Sequence, residues 1–147
     1  MTATNHVIAG ALVATYVHNP WVALPVAFAS HFVFDAIPHF GIPGTKHDDL
    51  KFFLMLATDM ALAASILVAL LVLHPANVYL IVACGIAAAS PDLMWLYYLI
   101  IRKGENKHRW PRLVRFHSDI QTERPWLILV ELVWFVFGGA LLASRLY

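Results

Sequence analysis

The chain has 147 residues, 61% hydrophobic and only 13% charged, with a mean hydropathy of +0.70. A soluble domain is about half apolar and about a quarter charged, so this composition excludes an ordinary soluble fold and points to helices in a bilayer. The formal net charge of +1 gives no reason to expect an acidic macromolecular partner, and nothing calls for nucleic acid.

A membrane-crossing helix needs about 20 apolar residues, fewer when it is buried or tilted. The first apolar run, Val7 to Val17, is short and ends in the turn signal His18-Asn19-Pro20. It has no basic segment before it and no cleavage site after it, so no signal peptide is expected there. Trp21 to Ile37 follows, closed by Pro38 and a Gly/Pro-rich loop through Gly44. Leu50 to Leu73 is a full-length span ended by His74-Pro75, and Val78 to Ile101 is another, interrupted by Pro91. A polar segment, Arg102 to Arg124, precedes the last span, Trp126 to Leu142. Cys84, the single cysteine, lies inside an apolar run and has no internal disulfide partner. The expectation is an all-α integral membrane bundle of four or five short helices, one domain over residues 1–147, whose first two runs either both cross or form a short re-entrant hairpin.

Orientation follows from the basic residues. With five crossings, the N-terminus and the loops after the second and fourth runs share one side. Those loops and their edges carry Lys46, Lys51, Arg102, Lys103, Lys107, Arg109, Arg112, Arg115 and Arg124; only Arg145 falls on the other side. The positive-inside rule makes the basic side cytoplasmic.

The acidic residues cluster on the same map. Asp35, Asp59, Asp92 and Glu131 lie on four different runs, roughly 3 to 15 Å from the basic interface at the rise of a helix. Charge inside a bilayer costs several kcal/mol, so such groups face an interior and find partners. Four carboxylates at one depth repel each other, and a cation or protonation has to relieve that. The histidines favour a cation. In Ser30-His31-Phe32-Val33-Phe34-Asp35, His31 and Asp35 are four apart and share a helical face. His6 and His117 lie on the same side of the membrane. Imidazole nitrogen with carboxylate oxygen suits zinc, manganese or iron better than calcium. In Ser90-Pro91-Asp92, proline breaks the backbone ladder and frees carbonyls upstream, and such backbone is tolerated where it is buried in protein or lines a wet cavity.

At these residues the sequence resembles the membrane-bound metal-dependent hydrolases that include the LexA-regulated inner-membrane proteins. The matching elements are Asn5-His6…Gly10, Ser30-His31…Asp35, Ser90-Pro91-Asp92 and His108-Arg109…Phe116-His117-Ser118. The Ser-His helix precedes the Pro-Asp element here, the His-Arg to His-Ser spacing is longer, and no His follows the Pro-Asp element. The resemblance implies a metal site at the inner membrane. His-x-x-x-Asp is also locally similar to the ligand spacing of zinc-dependent phospholipases C.

The expected function is a membrane-embedded, metal-dependent hydrolase at the cytoplasmic face, cleaving a phosphoester or ester of a lipid or other membrane-associated substrate. His31, Asp35 and Asp92 are the first metal ligands, with His6, Asp59 and His117 completing one or two ions, zinc first. Glu131 or Asp119 would serve as base, and the basic segment would hold a lipid phosphate. The alternative is an ion- or proton-coupled carrier using the same acids. Against it, the far half of the membrane offers only Thr15, Ser65 and Cys84 as a polar path. Simpler readings compete at single positions. Glu131 meets Arg124 or Arg115 in an interfacial pair. His39, His47 and His108 are solvated in loops. Trp95, Tyr97, Tyr98, Trp110 and Trp126 form an aromatic belt.

Overall fold

The computed structural model describes residues 1–41, 50–100 and 109–146, with side chains described throughout these except at 94–100. Lys46, His47, Arg102, Lys103, Lys107 and His108, and the side chains of Trp95, Tyr97 and Tyr98, lie outside the described residues.

The chain is all-helical. Six α-helices are present among the described residues: α1 (Ala3–Tyr16), α2 (Pro20–Ala36), α3 (Leu50–Leu73), α4 (Val78–Ile100), α5 (Arg112–Ile120) and α6 (Ile128–Arg145). A 3₁₀ turn, Pro125–Leu127, leads into α6. Two short strands, β1 (His39–Phe40) and β2 (Glu123–Arg124), pair in parallel with His39 opposite Glu123. This pairing ties the chain after α2 to the chain between α5 and α6.

Helix α1 is the centre of the fold, packed against α2, α3, α4 and α6. It begins four residues before the apolar run at Val7, because its first turn is held by polar groups. The Thr2 side chain caps it, accepting from the Asn5 N–H, and the Asp59 carboxylate of α3 accepts from the Ala3 and Thr4 N–H groups at 2.7 and 3.0 Å. Thr4, Asn5 and His6 are therefore buried, although they are polar.

Helix α2 starts from the Asn19 cap with Pro20 in its first turn, and buries Ala23, Ala27, His31 and Asp35. Four-residue spacing puts these in one stripe, so the small alanines bring α2 close while the last turn delivers the two polar side chains. Between α3 and α4 the chain reverses through His74 and Asn77, both with positive φ (48° and 59°).

The stretches Leu50–Leu73 and Pro125–Arg145 are long and apolar enough to cross a membrane, while the apolar parts of α2 and α4 are shorter. Only 11% and 17% of the residues in their apolar windows are buried, so neither is a core helix of a soluble protein.

Gly10 sets the distance between α1 and α4. A side-chain carbon there would run into the Cys84 carbonyl and the Ala88 methyl, so the two helices meet backbone to backbone, as small residues allow. In an uncrowded helix, replacing Gly by Ala gains about 1 kcal/mol. Gly10→Ala is expected to do the opposite, destabilising the protein by about 1–3 kcal/mol through overpacking. Gly139→Ala, where an added carbon meets nothing within 4 Å, is expected to be neutral or stabilising. Thermal unfolding of the two purified variants checks the contrast.

Candidate metal centre

Four side chains from three helices converge at the end of the bundle where α1 begins. His31 and Asp35 come from α2, Asp92 from α4 and His117 from α5, and one donor atom of each lies within 4.8 Å of all the others. His31 Nε2 lies 2.9 Å from His117 Nε2 and 3.2 Å from Asp35 Oδ2, and His117 Nε2 lies 2.8 Å from Asp35 Oδ2. Asp92 Oδ1 stands 3.7 and 3.8 Å from the two imidazole nitrogens. A tetrahedral ion with ligands at about 2.0–2.1 Å holds its donor atoms about 3.3 Å apart, which is the middle of this range. The cluster can hold a metal ion.

The hydrogen bonding around it orients the His31 ring. His31 Nδ1 is 2.7 Å from the Ala88 carbonyl, which can only accept, so Nδ1 carries the proton. Nε2 is thereby turned inward, facing two carboxylate oxygens and a second imidazole. This is the arrangement in which a backbone carbonyl fixes a ligating histidine's tautomer. Ser90-Pro91-Asp92 builds the α4 side. Pro91, fully buried, lacks the N–H that would reach the Ala87 carbonyl, and the Ser90 hydroxyl donates to that carbonyl instead at 2.9 Å. One residue on, the Ala88 carbonyl takes the His31 proton. His31, Asp35 and His117 are buried, whereas the Asp92 side chain is 27% exposed.

His6 sits beside this group. Its ring stacks on His31 at 3.9 Å between centroids, and its Nε2 reaches the other oxygen of Asp35, Oδ1, at 3.0 Å. The Met1 amino group donates to the same Oδ1 at 2.6 Å. Gln121, four residues after His117, brings its side-chain amide to 3.3 Å from both Asp35 Oδ2 and His117 Nε2. Its i, i+4 spacing from His117 was the signal for it in the sequence.

The remaining sequence candidates stand elsewhere. Asp59 caps α1 and also accepts from the Thr4 hydroxyl at 2.6 Å. Glu131 is buried but turned into α1, where its Oε2 accepts from the Thr2 hydroxyl at 2.9 Å and from Asn5 Nδ2 at 2.6 Å. These partners replace the expected Arg124 or Arg115. Asp119 is exposed and, two positions from buried His117, lies on the other side of α5. Neither expected base thus faces the four donors.

His39 is not solvated but 1% exposed, because the β1–β2 pairing covers it; its Nδ1 donates to the Ile37 carbonyl at 2.8 Å.

Comparison with known protein families, with curated proteins and with solved structures gives no match for this chain.

Burial lowers the pKa of His39 from its ordinary 6.5 and keeps the ring neutral. The unfolded chain therefore binds a proton at this residue at pH values where the folded protein does not. The contribution of His39 to stability is complete above about pH 6.5 and is lost as the pH falls below it. His39→Asn, which keeps a donor near the Ile37 carbonyl but does not titrate, is expected to flatten the fall of melting temperature between neutral and mildly acid pH. An unchanged slope would contradict this.

Proposed function

We propose that this chain is an integral membrane hydrolase that holds zinc at His31, Asp35, Asp92 and His117 and cleaves a phosphoester or ester of a membrane lipid at the cytoplasmic face. The observation that carries the reading is the convergence of two imidazole nitrogens and two carboxylate oxygens, with His31 Nε2 aimed inward. Two carboxylates against the one fixed positive charge of the Met1 ammonium group leave a negative balance in a largely buried space, which a cation would answer. Nitrogen with oxygen donors suits zinc, with manganese or iron as competitors.

Zinc held by His31, Asp35 and His117, with the more distant Asp92 as a displaceable fourth ligand, would keep a position open and supply a Lewis acid there, so that no separate carboxylate base would be required. The protein's own groups hold and orient. Ala88 fixes the tautomer of His31, and His6 holds the far oxygen of Asp35. The Gln121 amide, half-exposed at the rim, is placed to donate to a substrate oxygen. His6 can also serve a second ion on Asp35 Oδ1.

Membrane residence is supported by the shape of the surface. The outward faces of α3 and α6 are apolar and exposed, and α2 and α4 complete the bundle around α1. Helix α1, with 14 residues, is about 21 Å long, shorter than the roughly 30 Å hydrocarbon core, and is enclosed by its neighbours. Exposed Trp126 marks the end with the metal cluster, and exposed Trp21 and Tyr79 mark the other, as interfacial aromatic belts do. Lys51, Arg109, Arg112, Arg115 and Arg124 belong to the first end, while Arg145 stacks over Tyr16 at the second. This asymmetry supports a cytoplasmic site. Among the described residues the far half is built on Ala11, Ala14, Ala23, Leu70, Ile81 and Cys84, an apolar core that suits a carrier's second half-channel poorly.

His31→Ala and Asp35→Asn are each expected to abolish both zinc binding and hydrolysis in a screen of phosphomonoester, phosphodiester and ester lipids. The double variant should be no worse than either single one, because both residues serve one ion. Zinc bound at full stoichiometry by either variant would refute the ligand assignment. Ion-coupled flux in vesicles, lost in Asp35→Asn while no lipid is cleaved by the wild type, would favour the carrier.

A further inference from the structure

Helix α5 presents three faces rather than two. Val114 and His117 are buried, and α5 packs against α2 and α4. Leu113 and Phe116 form a second apolar face that is exposed, 42% and 51%, and Phe116 continues it onto Phe32 of α2 at 5.8 Å between rings. Arg112 and Arg115 lie on the third face, with Asp119. At 100° per residue the exposed apolar face lies between the face that packs inward and the basic face, Leu113 standing about 40° from His117 and Phe116 about 40° from Arg112. A helix on a soluble surface needs one apolar face. One lying in the plane of a membrane needs a second for the acyl boundary, flanked by basic residues at headgroup level.

We infer that α5 is an in-plane helix that binds anionic phospholipid, with Leu113 and Phe116 entering the acyl boundary and Arg112 and Arg115 on headgroup phosphates, and that this contact seats His117 in the metal centre. The inference rests on the membrane reading above. Charge selects the occupant: arginine pairs with phosphate in two-point hydrogen bonds, and a zwitterionic surface offers less attraction. The consequence for the metal follows from length. His31, Asp35 and Asp92 stand on helices of 17 and 23 residues, whereas His117 stands on one of nine. A helix that short is marginal alone and takes its position from what it packs on. Lipid is part of that packing, so headgroup charge regulates the completeness of the site.

The test uses the full chain in nanodiscs of phosphatidylcholine, with or without phosphatidylglycerol. Nitroxide labels at Leu113→Cys, Phe116→Cys and Arg112→Cys, in a Cys84→Ser background, report depth. The first two are expected to be accessible to oxygen and the third to a water-soluble nickel chelate. Zinc affinity of the wild type is expected to rise about 30-fold with phosphatidylglycerol, from about a factor of five per arginine. The Arg112→Gln/Arg115→Gln variant should lose that rise and keep its affinity in phosphatidylcholine, which separates the effect from zinc held by the lipid itself. Labels 113 and 116 open to the chelate, or a zinc affinity indifferent to headgroup, would overturn the inference while leaving the metal centre standing. The expected depth pattern, deepened by phosphatidylglycerol in a protein that binds no zinc, would support the lipid surface and reject the metal centre.

Discussion

Asp35 has no contact with water, and its two oxygens are divided between different partners. Oδ1 faces His6 and the Met1 ammonium group, and Oδ2 faces His31, His117 and Gln121. Burying a carboxylate costs several kcal/mol unless opposite charge and hydrogen bonds answer it. The rest of the molecule can be understood as the means of answering it. Helices α1, α4 and α5 each bring a polar group to a point fixed by the last turn of α2. The Met1 ammonium group supplies one positive charge to Asp35, and with Asp92 brought to the same two imidazoles the cluster can hold a further cation.

Several local devices hold this arrangement. Gly10 lets α1 and α4 touch, which places His6 one turn away, beside His31. Pro91 removes one helical hydrogen bond, and Ser90 closes the loss, so the chain is broken at the site without leaving the Ala87 carbonyl unpaired. Asp59 and Glu131, which depth alone would assign to the metal, anchor the first turn of α1. Their role is structural placement: they fix the helix that carries His6.

Much of the site was legible because polar residues are conspicuous in apolar runs. His31 with Asp35 stood out by spacing, and Asp92 by its proline. His117 was found although α5 was not foreseen as a helix, since nine residues inside a charged segment carry no apolar run. The same blindness shortened α1, whose first turn is buried but polar. Asp59 and Glu131 were assigned by depth, and depth does not give direction; each turns toward α1 rather than toward the four donors. The burial of His39 is not legible locally, because its cover, the pairing with Glu123, joins segments more than 80 residues apart. Gln121 was passed over because an amide carries no charge to draw notice.

The account turns on the four donors binding one ion. X-ray absorption on the zinc-loaded, purified protein measures that directly. The account predicts one tightly held zinc in a shell of nitrogen and oxygen at about 2.0–2.2 Å, with the outer-shell scattering of two imidazoles. A shell containing sulfur, a shell without imidazole, or protein that takes up no zinc while fully folded would contradict it.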